Sequence, residues 1–137
     1  MNLYIDCEWN SFGGELISMA LVSACGDQFY IEFERTEADD PWVAENVVPL
    51  LHGTPVHSLT GARRALQQFL LRFDSVHVIA DWPEDIERFC ALLVTGPGTR
   101  IATPPLTMEI VRADAPSDVP HHALHDALGL MRFMEGA

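Results

Sequence analysis

The sequence has few basic residues. Eight arginines, with no lysine, stand against 20 aspartates and glutamates, which gives a formal net charge of −12. A protein that binds duplex DNA without sequence preference needs a basic face that displaces counterions. The composition therefore argues against a non-specific binder of long duplex DNA. The surplus of acids either serves solubility or marks a place where carboxylates cluster around cations.

The sequence also lacks cysteine motifs and long apolar segments, and these absences exclude further classes of protein. The cysteines, Cys7, Cys25 and Cys90, form no CxxC pair and no cysteine–histidine zinc spacing, which predicts reduced thiols, with Cys7 and Cys90 buried. No basic segment opens the chain, and no stretch approaches the roughly 20 apolar residues of a membrane span. We therefore expect a cytoplasmic protein that does not enter the membrane.

The composition is that of a globular protein. Of 137 residues, 48% are hydrophobic and 20% are charged. A chain of this length can form a hydrophobic core without disulfides or metal ions as structural supports. We expect one domain that spans residues 1–137.

Hydrophobic periodicity predicts the elements of this domain. Alternating or continuous apolar stretches predict strands at residues 3–8, 15–23, 28–33, 75–80 and 99–103. Helical spacing predicts helices at residues 42–51, 61–73, 81–93 and 122–134. Residues 52–60 and the proline-bearing segment after residue 103 are predicted loops. The order indicates a mixed α/β fold on one central sheet, with an antiparallel meander of the first three strands.

Two acids share one face of the first strand. Asp6 and Glu8 are two residues apart, which places their side chains on the same face at a spacing of about 7 Å. Buried like charges are costly unless a cation neutralises them. Oxygen ligands of this kind suit Mg²⁺ or Mn²⁺. The alternative is an exposed strand end without a ligand.

A second group of acids lies in the stretch ADWPEDIERF. Asp81 ends a predicted strand, and Glu84 and Asp85 fall in the first turn of the next helix. Such acids often cap a helix or complement its dipole. We expect Asp81 to be the N-cap that accepts a hydrogen bond from the amide of Glu84.

The stretch VPHHALHDALGL places an acid inside an otherwise apolar helix. A helical projection puts Asp126 between Phe133 and Leu130, at the edge of the core. His121 precedes the helix on a loop from which it can lean toward Asp126. The alternative is a set of histidines near a helix start without a chemical role.

Together these pieces resemble the DEDD superfamily of 3′–5′ exonucleases, in the histidine-containing DEDDh subgroup, whose fold is ribonuclease H-like. The pattern is Asp-x-Glu on the first strand, an acid after a later strand, and His-x4-Asp at the last helix. The YIDCE opening, the ELIS strand and the HHALHDA ending are most similar to compact bacterial 3′–5′ exoribonucleases. This fold implies a central mixed sheet, in which parallel strands join the antiparallel meander, flanked by helices.

The resemblance implies roles for individual residues. The residues that match the family's metal-binding acids are Asp6, Glu8, Asp85 and Asp126. His121 matches the histidine that acts as general base. Asp81 stands where the family usually has asparagine, four positions before the acid at Asp85, so Asp81 is the alternative middle ligand.

The resemblance also implies a mechanism and a substrate. Two divalent cations, Mg²⁺ or Mn²⁺, about 3.5–4 Å apart, would orient water and stabilise the leaving oxygen. The substrate would be the 3′ end of single-stranded RNA or DNA, with RNA favoured, and the enzyme could be a homodimer. Candidates for substrate contact beside the acids are Trp9, Asn10, Ser11, Phe12 and Trp82. Ordinary core packing is the alternative for each aromatic residue.

Two other functions are compatible with the sequence. The chain could be a catalytically idle relative that serves as an acidic interaction module. It could also be a metal-dependent phosphoesterase that acts on small nucleotides, since a short chain with few basic residues suits a small substrate.

Overall fold

The computed structural model of the protein describes residues 1–53 and 56–136. Its strands are β1 (Asn2–Trp9), β2 (Leu16–Val22), β3 (Gln28–Phe33), β4 (Val56–His57), β5 (Val76–Ala80), β6 (Val94–Gly96), β7 (Thr99–Arg100) and β8 (Leu106–Ile110). A six-stranded sheet has the order β4-β3-β2-β1-β5-β8, and β6 pairs with β7 separately. The expected central sheet is therefore present.

The predicted meander is confirmed. β1 pairs antiparallel with β2, and β2 pairs antiparallel with β3. β5 lies parallel to β1, β8 parallel to β5, and β4 parallel to β3, so the sheet is mixed. β1 lies near the middle of the sheet and is buried there, because β2 pairs with one of its edges and β5 with the other. The β1–β2 register shifts between Glu8 and Trp9, an irregularity of the kind that a β-bulge produces.

Sequence periodicity misplaced the last strand of the sheet. The predicted strand at 99–103 is reduced to the two residues of β7, and the predicted loop after residue 103 contains β8. β8 is an edge strand whose side chains from Thr107 to Ile110 are all exposed. Such a strand is held by backbone pairing and leaves no buried alternation for a sequence pattern to detect.

The helices are α1 (Pro41–Asn46), α2 (Leu59–Leu70), α3 (Pro83–Leu93) and α4 (Ala123–Met134). The predicted helix at 42–51 is shorter than expected, because α1 ends at Asn46 and a 3₁₀ turn at Val48–Leu50 follows. The predicted loop at 52–60 contains β4 and the start of α2. The Ser58 hydroxyl accepts a hydrogen bond from the Gly61 amide and so begins α2 two residues before the predicted start.

Helices cover both faces of the sheet. α2 and α3 pack on the face that carries Leu3, Ile5 and Cys7. α4 packs on the opposite face, where Ala127 and Leu130 meet Tyr4 of β1. The predicted alternation of β1 is confirmed, and it directs Asp6 and Glu8 toward the face that α4 covers.

The structure bears on two expectations, one about membrane-spanning segments and one about the cysteines. Within residues 1–53 and 56–136, no helix is both long enough and apolar enough to span a membrane. All three cysteines are free thiols. Cys7 is buried as expected, whereas Cys90 is only half-buried, because it lies on the exposed side of α3 with its sulfur near Met108 of the edge strand.

Candidate metal centre

The carboxyl ends of two parallel strands bring the first acids together. Tyr4 of β1 is level with Ile79 of β5. Two residues further along each strand stand Asp6 and Asp81, so the register itself places these carboxylates side by side.

The first turn of α3 adds a buried acid. The Asp85 side chain is only 1% exposed, and its Oδ1 accepts a hydrogen bond of 3.0 Å from the Cys7 amide. β1 extends beyond β5 here, and Asp85 takes the acceptor position that another strand would fill. The expected cap is wrong, because Trp82 is the N-cap of α3 and no side chain makes a cap hydrogen bond there.

The first turn of α4 brings the remaining acid. Asp126 is half-buried, as its predicted place at the edge of the core requires. Its Oδ2 accepts a hydrogen bond of 3.1 Å from the backbone amide of His121. His121 has a φ of 71°, in the left-handed region that non-glycine residues seldom adopt. Its ring meets the indole of Trp42 edge-on at 5.0 Å.

These acids form two groups that share Asp6. Ligand atoms of Asp6, Asp81 and Asp85 lie within 4.8 Å of one another, and the same holds for Asp6, Glu8 and Asp126. Among the described residues, the buried Oδ2 of Asp6 has no hydrogen-bond partner. A buried carboxylate oxygen left in this way is costly unless a cation or a proton satisfies it.

The crowding of carboxylates disfavours their charged forms. Burial, together with the charge of Asp126, raises the pKa of Glu8 to about 8. Burial and the charge of Asp81 raise the pKa of Asp85 to about 8, although the hydrogen bond from Cys7 opposes the shift. Burial, followed by the charge of Asp85, raises the pKa of Asp6 well above its usual range. Without positive charge at the centre, part of this cluster holds protons near neutral pH.

The donor set fits hard divalent cations. Every donor in the two groups is a carboxylate oxygen, which is the ligand type that Mg²⁺ and Mn²⁺ prefer. Asp6 belongs to both groups and has an unsatisfied oxygen, so it would contribute a ligand to a cation in either group. Both Asp85 and Asp81, the two candidates for the middle ligand, lie within reach.

Two clefts flank the acids. One has a volume of about 480 Å³ and is lined by Asp6, Asp81, Ala115, Pro116, Ser117, Pro120, His121 and Asp126. The other has a volume of about 320 Å³ and is lined by Glu8, Trp9, Ser11, Phe12, Asp40, Trp42, Val43, Trp82 and Glu84. The acidic cluster therefore lies between a polar cleft and a cleft rich in aromatic side chains.

Four of the five residues predicted to contact substrate line the aromatic cleft. Phe12 is 95% exposed and Trp82 is 58% exposed, so neither belongs to the core. Trp9 is half-buried, and the guanidinium of Arg88 lies over its ring at 5.5 Å. Ser11 is exposed at the rim.

The structure gives Asn10 a different position. Its side chain is buried, its amide donates to the Ala38 carbonyl at 2.8 Å, and its Oδ1 accepts from the Asp40 amide at 2.7 Å. Both ends of this side chain are thus engaged with the segment before α1. Asn10 therefore holds that segment in place through hydrogen bonds, and it lines neither of the two clefts.

Sequence reasoning missed two features near the centre. For Trp42 the sequence predicts only a helix, and the available signal was a tryptophan directly after the Asp39-Asp40-Pro41 helix start; the structure leaves its side chain exposed. Glu32, His52 and His122 form a third group of potential ligands. A charged residue in the apolar stretch QFYIEF was the available signal. Burial, with His52 and His125 nearby, lowers the pKa of His122 to about 4, so that this ring is uncharged at neutral pH.

No protein-family model matches the chain. No curated protein matches it either.

Proposed function

We propose that the protein is a metal-dependent 3′–5′ exonuclease that hydrolyses phosphodiester bonds at the 3′ end of single-stranded nucleic acid. The observation that carries the proposal is the sharing of Asp6 between two groups of carboxylates from β1, α3, α4 and the end of β5. The proposal is also supported by the similarity of the sequence to the DEDDh pattern, because the acids of that pattern belong to these two groups and His121 lies beside Asp126.

Asp6 and the acids around it would hold two divalent cations. When bound, the cations supply the positive charge that activates water and stabilises the leaving oxygen of the phosphodiester. Asp6 contributes to both groups, Asp85 and Asp81 to one, and Glu8 and Asp126 to the other. The backbone bond from Cys7 fixes Asp85, so its carboxylate is oriented before any ligand arrives.

His121 would accept the proton of the attacking water. Its side chain lies at the wall of the polar cleft that also contains Asp6 and Asp126. The backbone bond to Asp126 and the edge contact with Trp42 hold the residue at this wall. A positioned base of this type contributes about 10²–10⁴-fold to a hydrolysis rate.

The aromatic cleft supports a single-stranded substrate. Exposed rings such as Phe12, Trp42 and Trp82 offer faces on which unpaired bases can stack. The chain's net charge of −12 would repel a polyanion, so attraction of phosphate depends on the bound cations. We propose RNA as the preferred substrate, because the HHALHDA ending is most similar to compact exoribonucleases.

The test is a ladder assay on 5′-labelled single-stranded RNA and DNA of one sequence, with Mg²⁺, Mn²⁺ or EDTA. We expect stepwise shortening from the 3′ end with either metal and none in EDTA. Asp6→Asn should be inactive, whereas Asp74→Asn, an exposed acid outside both clefts, should match the parent protein. Internal cleavage products, or full activity in EDTA, would refute the proposal.

A phosphoesterase of small nucleotides is the second candidate. It is favoured by the limited volume of the polar cleft, about 480 Å³, and by the scarcity of basic residues that could follow a longer strand. A dinucleotide added to the same assay distinguishes the two functions. Faster turnover of the dinucleotide than of a 20-mer would favour the small-substrate enzyme. An idle interaction module predicts no turnover of either.

A further inference from the structure

A second group of potential ligands lies apart from the acidic cluster. Glu32 comes from β3, His52 from the segment after the 3₁₀ turn, and His122 from the N-cap of α4. One ligand atom of each residue lies within 4.8 Å of the others. None of the three belongs to the groups around Asp6.

Glu32 is a buried carboxylate whose position is fixed. Its side chain accepts hydrogen bonds from the amides of His52 at 2.7 Å and Gly53 at 2.8 Å, and from the Tyr30 hydroxyl. These donors stabilise the charged form of a residue that is only 4% exposed. A negative charge is thus held rigidly beside two imidazoles.

His122 is the observation that points to a ligand. Its side chain is only 3% exposed, and among the described residues neither ring nitrogen has a hydrogen-bond partner. The ring is oriented between Tyr30 at 5.0 Å and His52 at 4.7 Å. Buried polar atoms in folded proteins are almost always satisfied, so an imidazole with both nitrogens free suggests a missing partner.

We propose that Glu32, His52 and His122 form a second metal site, which takes a transition-metal ion of the zinc class. Two imidazoles and one carboxylate are the donor set of known zinc sites, whereas Mg²⁺ prefers oxygen ligands alone. The exposed His52 lies on the solvent side and provides a route for the ion. A bound ion would join β3 and the 52–53 segment to the start of α4, beside His121.

The test is a Zn²⁺ titration against a competing chromophoric chelator, on metal-free protein. The background is Asp6→Asn with Cys25→Ser, which weakens the acidic centre and removes the exposed thiol. We expect one Zn²⁺ per chain, and an affinity at least about tenfold lower after His52→Gln. His125→Gln is the matched control, because His125 packs against His122 but lies outside the ligand group, and it should bind Zn²⁺ normally.

The outcome separates this site from the proposed nuclease centre. Mn²⁺ binding to the protein with an intact acidic centre should be unchanged by His52→Gln. Because His52 is exposed, this variant should fold even if substitution of the buried His122 disrupts packing. No Zn²⁺ binding in the background protein, or equal affinity after His52→Gln, would overturn the proposal and leave the nuclease proposal untouched.

Discussion

Asp85 has one oxygen engaged with the backbone of β1, and this feature separates it from Asp81. In Asp85→Asn the amide oxygen can still accept the bond from Cys7, so the fold should persist while a negative ligand is lost. We expect the hydrolysis rate to fall by more than about 100-fold, since even indirect partners of a metal site are worth 10–100-fold. The measurement is the single-turnover rate with Mn²⁺, with circular dichroism as a check on folding.

Asp81 is the matched comparison for Asp85. Asparagine at this position keeps a ligand oxygen, so Asp81→Asn should retain more activity than Asp85→Asn. Asp81→Ala removes the oxygen and should be less active than Asp81→Asn. If Asp81→Asn is inactive and Asp85→Asn is active, the middle ligand is Asp81, the alternative assignment.

Because the backbone of His121 is left-handed, we expect substitutions at this position to lower activity and to change stability little. At a φ of 71° a β-carbon costs about 1 kcal/mol, and glycine would relieve this strain at a similar cost in the entropy of the unfolded chain. We expect His121→Gly and His121→Asn to change the free energy of unfolding by less than about 1 kcal/mol. Both should lose more than about 100-fold in rate. Retained activity in His121→Asn would exclude His121 as the base.

At the scale of elements, the turn after β1 is joined to the start of α1. Asn10→Ala would leave the Ala38 carbonyl and the Asp40 amide without partners, at a cost of about 2 kcal/mol. Asp40 is the N-cap of α1, which carries Trp42, so KM for single-stranded substrate should rise as well. Ser11→Ala, at the neighbouring exposed position, is the control for stability alone, which it should keep, because Ser11 itself lines the aromatic cleft. Urea denaturation and initial rates measure the two effects.

Elements with a buried face were predictable from sequence, and exposed ones were not. β1 and β2 alternate or run apolar because both contribute to the core, and α4 shows a clear apolar face. β8 has no buried face, and β4 has two residues and depends on its pairing with β3. Such elements are fixed by neighbours distant in sequence, which a local pattern cannot represent.

A similar distinction applies to the residues of the acidic cluster and its surroundings, since those that interrupt a local pattern were predictable and those placed by distant contacts were not. Asp6, Glu8 and Asp126 were predictable because they interrupt apolar faces, and the structure brings all three together. The N-cap assignment for Asp81 failed because the strand's register, rather than the helix start, sets its position. The engagement of Asn10 depends on a contact with the 38–40 segment that no spacing in the sequence indicates.

At the scale of the whole molecule, the acidic cluster should make stability depend on pH. Burial and the neighbouring carboxylates raise the pKa of Glu8 from 4.5, and the pKa of Asp85 from 3.8, to about 8 in the folded protein. Between these limits the folded state binds more protons than the unfolded state, so the free energy of unfolding falls as pH rises. We expect the metal-free protein to melt at a higher temperature at pH 5 than at pH 8.

Variants and metal distinguish this effect from general charge repulsion. Glu8→Gln should reduce the difference in melting temperature between pH 5 and pH 8, whereas Glu45→Gln on the exposed surface of α1 should not. Saturating Mn²⁺ should raise the melting temperature most at pH 8, where the carboxylates are free to bind it. Asp6→Asn should raise the melting temperature of the metal-free protein and diminish the response to Mn²⁺. A melting temperature independent of pH would contradict convergence of these acids.

The sharing of Asp6 between two groups also bears on how long the folded molecule lasts. The acids come from both ends of the sequence and meet only when β1, α3 and α4 are all in place. We therefore expect the contacts between these acids and a metal ion to form after the folding barrier. Contacts of that kind slow unfolding and leave the refolding rate unchanged. Stopped-flow measurements should therefore show that Mn²⁺ lowers the unfolding rate and hardly alters refolding. The supply of divalent metal would then set the lifetime of the native chain against proteases that attack it during brief openings.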